Sequence, residues 1–159
     1  VQVRSILLIS WIAQRGRGTL DFVSYLVWIS AWQLQCCGKP FAVGQKVTWA
    51  LSPATDPRRF GTTLGKDLAR RITHAEDHHN VLSEHAVATP GSVLAISSAF
   101  CRYAADPGSS DGKTLVPVPG TAVLRDVTKA TGREPETASL RFNGYVVELR
   151  VEPDDGRPW

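Results

Sequence analysis

No part of this 159-residue chain holds a helical period long enough to build a long amphipathic helix. It carries instead short runs rich in β-branched and aromatic residues, cut apart by glycine and proline. That pattern constrains the fold more than any other feature. Six or seven short strands separated by Gly/Pro turns predict an all-β chain. The expected form is a small, partly open barrel or a sandwich, OB-like or SH3-like, with one short helical turn. A hydrophobic fraction of 43% and a charged fraction of 21% are those of a globular chain with a real core.

The strands can be placed. Phe22 to Ile29 has apolar residues on both parities, which predicts a strand buried on both faces. Ser30 is placed to cap one helical turn over Trp32 to Gln35, ended by Gly38 with Pro40 beyond. Val43-Gly44-Gln45 reads as a turn. Val47, Trp49 and Leu51 then alternate with polar or small neighbours up to Ser52-Pro53, where a ladder should stop. Residues 58–71 read as a basic, solvent-facing loop with one helical turn, and Ile72 to Asn80 as a polar segment. Thr89-Pro90-Gly91 reads as a turn, Ser92 to Tyr103 as a strand, Leu115 to Val118 as an edge strand and Thr121 to Val127 as another strand. Leu140 to Val151 reads as a closing hairpin turned at Asn143-Gly144.

These elements define one expected β domain over 21–152. Residues 1–20 are expected to be an extension or disordered arm, and 153–159 an acidic tail. The apolar run from Ile6 to Ala13 is about eight residues, far short of the ~20 that span a bilayer, so no membrane association is expected. Three cysteines, two of them adjacent, do not form a disulfide framework. They point to a reducing, cytoplasmic compartment with thiols free or on a metal.

The chemistry-bearing residues are Cys36, Cys37 and Cys101 with His74, His78, His79 and His85. Zinc takes four such groups in a tetrahedron. The ligand set expected from turns and strand ends is Cys36, Cys37, His78 and Cys101, with His74 as substitute. His74 and His78 share a face in a strand or a helix, whereas in a strand His79 points the other way. The zincin pattern is absent, because Ala75 follows His74 where that pattern needs Glu. The simplest alternative is that Cys101 is ordinary core and the histidines lie in a solvated loop.

Two other functions compete with a zinc-bearing module. Trp28, Trp32 and Trp49 with Lys39, Lys46, Arg58, Arg59, Arg70 and Arg71 resemble the aromatic and basic mixture of a single-stranded nucleic-acid binder, although a net charge of +3 supplies little phosphate attraction. A Cys/His-dependent hydrolase would use Cys36 or Cys37 as nucleophile and His78 or His79 as base. The predicted helix C-terminus at the cysteines disfavours a thiolate.

The run Trp32-Gln33-x-x-Cys36-Cys37-Gly38-x-Pro40-Phe41-x-Val43-Gly44, continuing to Val47-x-Trp49-x-Leu51, resembles the opening motif of a family of small, uncharacterised actinobacterial proteins, a domain of unknown function. His74-x-Glu76-x-His78-His79, Cys101-Arg102-Tyr103 and Gly144-Tyr145-Val146-Val147 extend the resemblance over about residues 23–152. It implies a bacterial, cytoplasmic protein and brings no activity with it. The resulting expectation is a non-enzymatic binding or structural module, its partner unspecified, with a Cys/His structural zinc site.

Overall fold

The computed structural model describes residues 22–81, 85–110 and 112–152. The expected arm over 1–20 and tail over 153–159 lie outside the described residues. In chain order the elements are β1 (Val23–Ser30), α1 (Ala31–Cys36), β2 (Phe41–Ala42), β3 (Lys46–Pro53), α2 (Arg58–Leu64), α3 (Lys66–Ala69), β4 (His74–Glu76), β5 (Val87–Cys101), β6 (Tyr103–Ala105), β7 (Leu115–Pro117), β8 (Val123–Val127), β9 (Lys129–Ala130) and β10 (Arg141–Val151).

Five strands close on themselves in the order β10-β1-β4-β3-β5, with β5 returning to β10. The fold is therefore a small all-β barrel, as the strand pattern predicts. Only the β1–β4 pair is parallel. β5 is long enough to serve two neighbours on one edge. Its first half pairs with β3 from Val87 to Ser92, and its second half takes β8 from Ile96 to Phe100.

The barrel wall is apolar on both faces over part of its circumference. Val27 and Ile29 of β1 join Tyr145, Val147 and Leu149 of β10, together with Leu51, Val93 and Ile96, in the larger core cluster. Full burial of such aliphatic side chains contributes about 2 kcal/mol each. The alternate residues Leu26, Trp28 and Val146 face outward onto Phe60, Leu64, Ala69 and Ile72. This is why β1 carries apolar residues on both parities: one parity fills the barrel and the other lies under α2 and α3. The 58–71 segment, read from sequence as a solvent-facing loop, is two short helices whose apolar side covers the wall.

Five other expectations change. Ser30 precedes α1 but makes no capping hydrogen bond, and its buried hydroxyl has no partner. β3 runs on through Ser52 and Pro53, which pair with Ala75 and His74. The polar segment contains β4, a three-residue strand wedged between β1 and β3. Its only apolar residue is Ala75, too little for a period to show.

Thr89-Pro90-Gly91 is a continuous part of β5 rather than a turn. The glycine is there for contact: a Cβ at position 91 would lie 2.7 Å from the Arg150 carbonyl oxygen. Likewise Asn143-Gly144 is a bulge inside one strand, β10, and not a hairpin. Gly144 has φ +153 and sits against the backbone of Ile29 and Ser30, where no Cβ fits.

Candidate metal centre

Two short connections build the site. The first is the C-terminal end of α1. Buried Ala31, Gln33 and Leu34 anchor this helix, so its exposed face carries Trp32, Gln35 and Cys36. Cys37 is its C-cap. The Cys37 and Gly38 amides both donate to the Gln33 carbonyl, at 3.3 and 3.1 Å. Two consecutive thiols are thereby presented at a tight backbone turn.

The second connection is the turn after β4. Asp77 is fully buried and fixes it. Its amide donates to the Ala50 carbonyl at 2.8 Å, extending the ladder one residue beyond β4. Its carboxylate accepts from the Ser52 hydroxyl at 3.1 Å and from the Val81 amide at 2.7 Å. Asn80 closes the turn by donating its amide to the Asp77 carbonyl at 2.9 Å, with φ 53. The short polar side chain of Asn tolerates that left-handed conformation. His78 and His79 therefore stand on a turn, beyond the reach of strand alternation.

The two connections converge. Cys37 Sγ lies 2.9 Å from His78 Nε2 and 3.0 Å from His79 Nε2. Donor atoms of Cys36, Cys37 and His79 all lie within 4.8 Å of one another. Glu76, largely buried, holds the far side of the His78 ring, both of its carboxylate oxygens standing 2.8 Å from Nδ1. That contact places the ring proton on Nδ1 and aims the Nε2 lone pair at the thiols. Trp32 stacks on His79 with ring centroids 5.4 Å apart and planes 17° from parallel. Desolvation, then the hydrogen bond to Cys36 and the negative charges of Cys36 and Glu76, hold the Cys37 thiol above its ordinary pKa. The corner thus gathers latent negative charge and soft donors around one point, the electrostatics of a cation site.

Of the ligands expected from sequence, Cys36, Cys37 and His78 meet here. Cys101 is fully buried at the end of β5, where its sulfur accepts from Asn143 Nδ2 at 3.3 Å. Burial raises its pKa, with the Asn143 and Tyr103 hydrogen bonds pulling the other way. His74 stacks on Tyr25, centroids 3.9 Å apart, with Nδ1 3.1 Å from the Thr73 hydroxyl, and burial lowers its pKa. The sequence reading set His79 aside on strand parity. The signal that could have recovered it is Asp77-x-x-Asn80, a pair of turn-forming residues that bracket both histidines.

The tryptophans divide. Trp28 faces Phe60 and Trp49 packs edge-on against Phe41, and both border the core clusters. Trp32, 49% exposed, stands in the open. No helix among the described residues is long and apolar enough to cross a membrane.

A model of a family of unknown function, DUF6578, matches residues 23–151. That span takes in every strand of the barrel and both connections of the Cys/His corner. No curated protein and no solved structure matches the chain.

Proposed function

For a chain that belongs to the DUF6578 family of unknown function, we propose a non-enzymatic β-barrel module whose exposed corner is tied by zinc. The proposed ligands are Cys36, Cys37, His78 and His79, with Glu76 orienting His78. The observation that carries the proposal is the convergence on Cys37 Sγ of two imidazole nitrogens, at 2.9 and 3.0 Å, with a second thiol alongside. Two thiols and two imidazoles are a complete tetrahedral zinc set. Around zinc a thiolate sulfur and an imidazole nitrogen stand about 3.5 Å apart, so Cys37 and each imidazole would part by about half an ångström while His78 closes on the Cys36, Cys37 and His79 cluster. Zinc would offset the desolvation, and then the Cys36 and Glu76 charges, that hold the Cys37 pKa up. It would also cross-link α1 to the turn after β4, two segments about 40 residues apart in sequence. In this reading Cys101 is core, and reduced cysteines require the cytoplasm of the actinobacterial cell that the sequence motif implies.

Zinc content of protein purified without added metal tests this. One zinc per chain, with a fall in thermal midpoint in chelator, is expected. Sub-stoichiometric metal with no loss of stability in chelator sinks it.

One observation favours a second reading. Cys37, His78 and Glu76 form a thiol–imidazole–carboxylate relay, the arrangement of a cysteine hydrolase. Against it, the two amides nearest the sulfur are spent on the Gln33 carbonyl and cannot bind an oxyanion. The helix end and the raised Cys37 pKa also disfavour a thiolate. A hydrolase would show one cysteine hyper-reactive toward iodoacetamide at neutral pH in metal-free protein. The nucleic-acid reading has less support, because only Trp32 of its three aromatics is widely exposed.

A further inference from the structure

A groove of about 390 Å³ opens beside the corner, with Cys37, Glu76 and His78 on one wall. Its volume is at the small end of the range for ligand pockets. Leu34, Phe41 and Trp49 supply its apolar lining. Phe41 is buried and meets Trp49 edge-to-face, centroids 4.9 Å apart and planes 70° apart, which fixes the indole in place.

Two lysines border the groove, and they differ. The Lys46 ammonium is held 2.9 Å from the Glu152 carboxylate. Lys39 is exposed and makes no ion pair among the described residues. The groove therefore joins a rigid aromatic and aliphatic lining to one cation without an ion pair among the described residues, with Gln45 and Thr48 as further polar groups and the Glu76 carboxylate turned to His78. A ligand complementary to that arrangement has a flat apolar body and one anionic group.

We propose that this groove binds a small aromatic carboxylate, its ring on Trp49 and Leu34 and its carboxylate on Lys39. The proposal is separate from the zinc reading: the groove shares wall residues with the corner, but its recognition groups are not ligands of the proposed metal.

The test is a titration of the purified full chain with 2-naphthoate and, in parallel, neutral 2-naphthamide. Binding is followed by calorimetry and by tryptophan fluorescence, with zinc content measured on the same sample. Saturable 2-naphthoate binding, about five- to tenfold weaker for the amide and weakened about as much by Lys39→Gln, is expected. Lys39 is exposed, so this variant should fold. Near-UV circular dichroism checks that it does. Three outcomes overturn the proposal. One is no saturable 2-naphthoate binding to folded protein. Another is equal affinity for acid and amide, or affinity unchanged by Lys39→Gln. The third is a response only to a single-stranded oligonucleotide with steep salt dependence, which would assign this face to nucleic acid. Binding by zinc-free protein would sink the metal reading and leave the groove. Zinc without binding would do the reverse.

Discussion

Two polar clusters sit on the same barrel, and they differ in how far each is complete. At Tyr145, fully buried in β10, the hydroxyl accepts from the Thr131 and Gly132 amides at 3.1 and 2.9 Å and donates to Glu134 at 2.6 Å. Every capacity of the phenol is used, and nothing further is needed to explain the cluster. At the Cys/His corner, two exposed thiols lie beside His79, and one of them, Cys37, also meets the His78 nitrogen. The imidazole nitrogens crowd onto one thiol, and the negative charges that Cys36, Cys37 and Glu76 can carry lie close together. The first cluster is a finished structural device. The second has the composition of a site awaiting a cation.

Removing a ligand should separate the two most sharply. Cys37→Ser is expected to abolish stoichiometric zinc and cost roughly 4 kcal/mol of stability in zinc-replete buffer. In chelator, wild type and variant should have the same midpoint. Denaturant titrations with and without chelator check both statements. If the variant keeps one zinc per chain, the corner is not the metal centre.

Tyr145→Phe attacks the finished cluster. It leaves the Thr131 and Gly132 amides without their acceptor, and a loss of about 2 kcal/mol is expected. Zinc content should not change, because no member of the cluster belongs to the proposed ligand set. The same tyrosine predicts an alkaline limit. Burial, then the hydrogen bond to Glu134, pushes its pKa from 10.0 to about 12. The folded state thus favours the neutral phenol more than the unfolded state does. That stability is complete below pH 10 and is lost as pH rises toward 12. Equilibrium unfolding across that interval should show a steeper fall in wild type than in Tyr145→Phe, which keeps only the smaller contributions of Tyr103 and the cysteines.

Glu76→Gln probes the support of the corner rather than its ligands. The amide keeps the shape and can still accept from His78 Nδ1, but the charge is gone. Zinc affinity should fall about tenfold while the stoichiometry stays at one. Because the Cys37 thiol sits above its ordinary pKa, zinc affinity should also rise with pH through the neutral range in both proteins. Competition with a chromophoric chelator at several pH values measures both effects.

How much of this was legible in the sequence depended on length and period. β1, β3 and the second half of β5 are long and strongly apolar, and each shows as a run. β4 is three residues with one alanine, so nothing local marks it. It is a strand because β1 and β3 supply backbone partners on both edges. Gly91 and Gly144 look like turn residues but serve close packing, a distinction visible only once β10 lies against β5 and β1. At the site, the residue types were evident and their meeting was not. Parity turned His79 away from His78, yet both stand on the Asp77–Asn80 turn, where period two no longer operates.

The smallest expected effect is the one that separates ligand from core most directly. Cys101 is chemically as good a zinc ligand as Cys36, and by sequence it belonged to the same set. Its surroundings differ: it is fully buried, opposite Arg141 in the β5–β10 ladder, and its sulfur accepts the Asn143 amide at 3.3 Å. Serine at this position keeps nearly the same volume and can accept the same hydrogen bond, while its hydroxyl is a poor match for zinc. Cys101→Ser should therefore cost about 1 kcal/mol in a urea titration, from the added polarity in the core, and leave one zinc per chain. A ligand at this position would give the opposite result, with metal lost and stability falling as far as in Cys37→Ser. The ratio of the two losses reports which cysteines hold the corner.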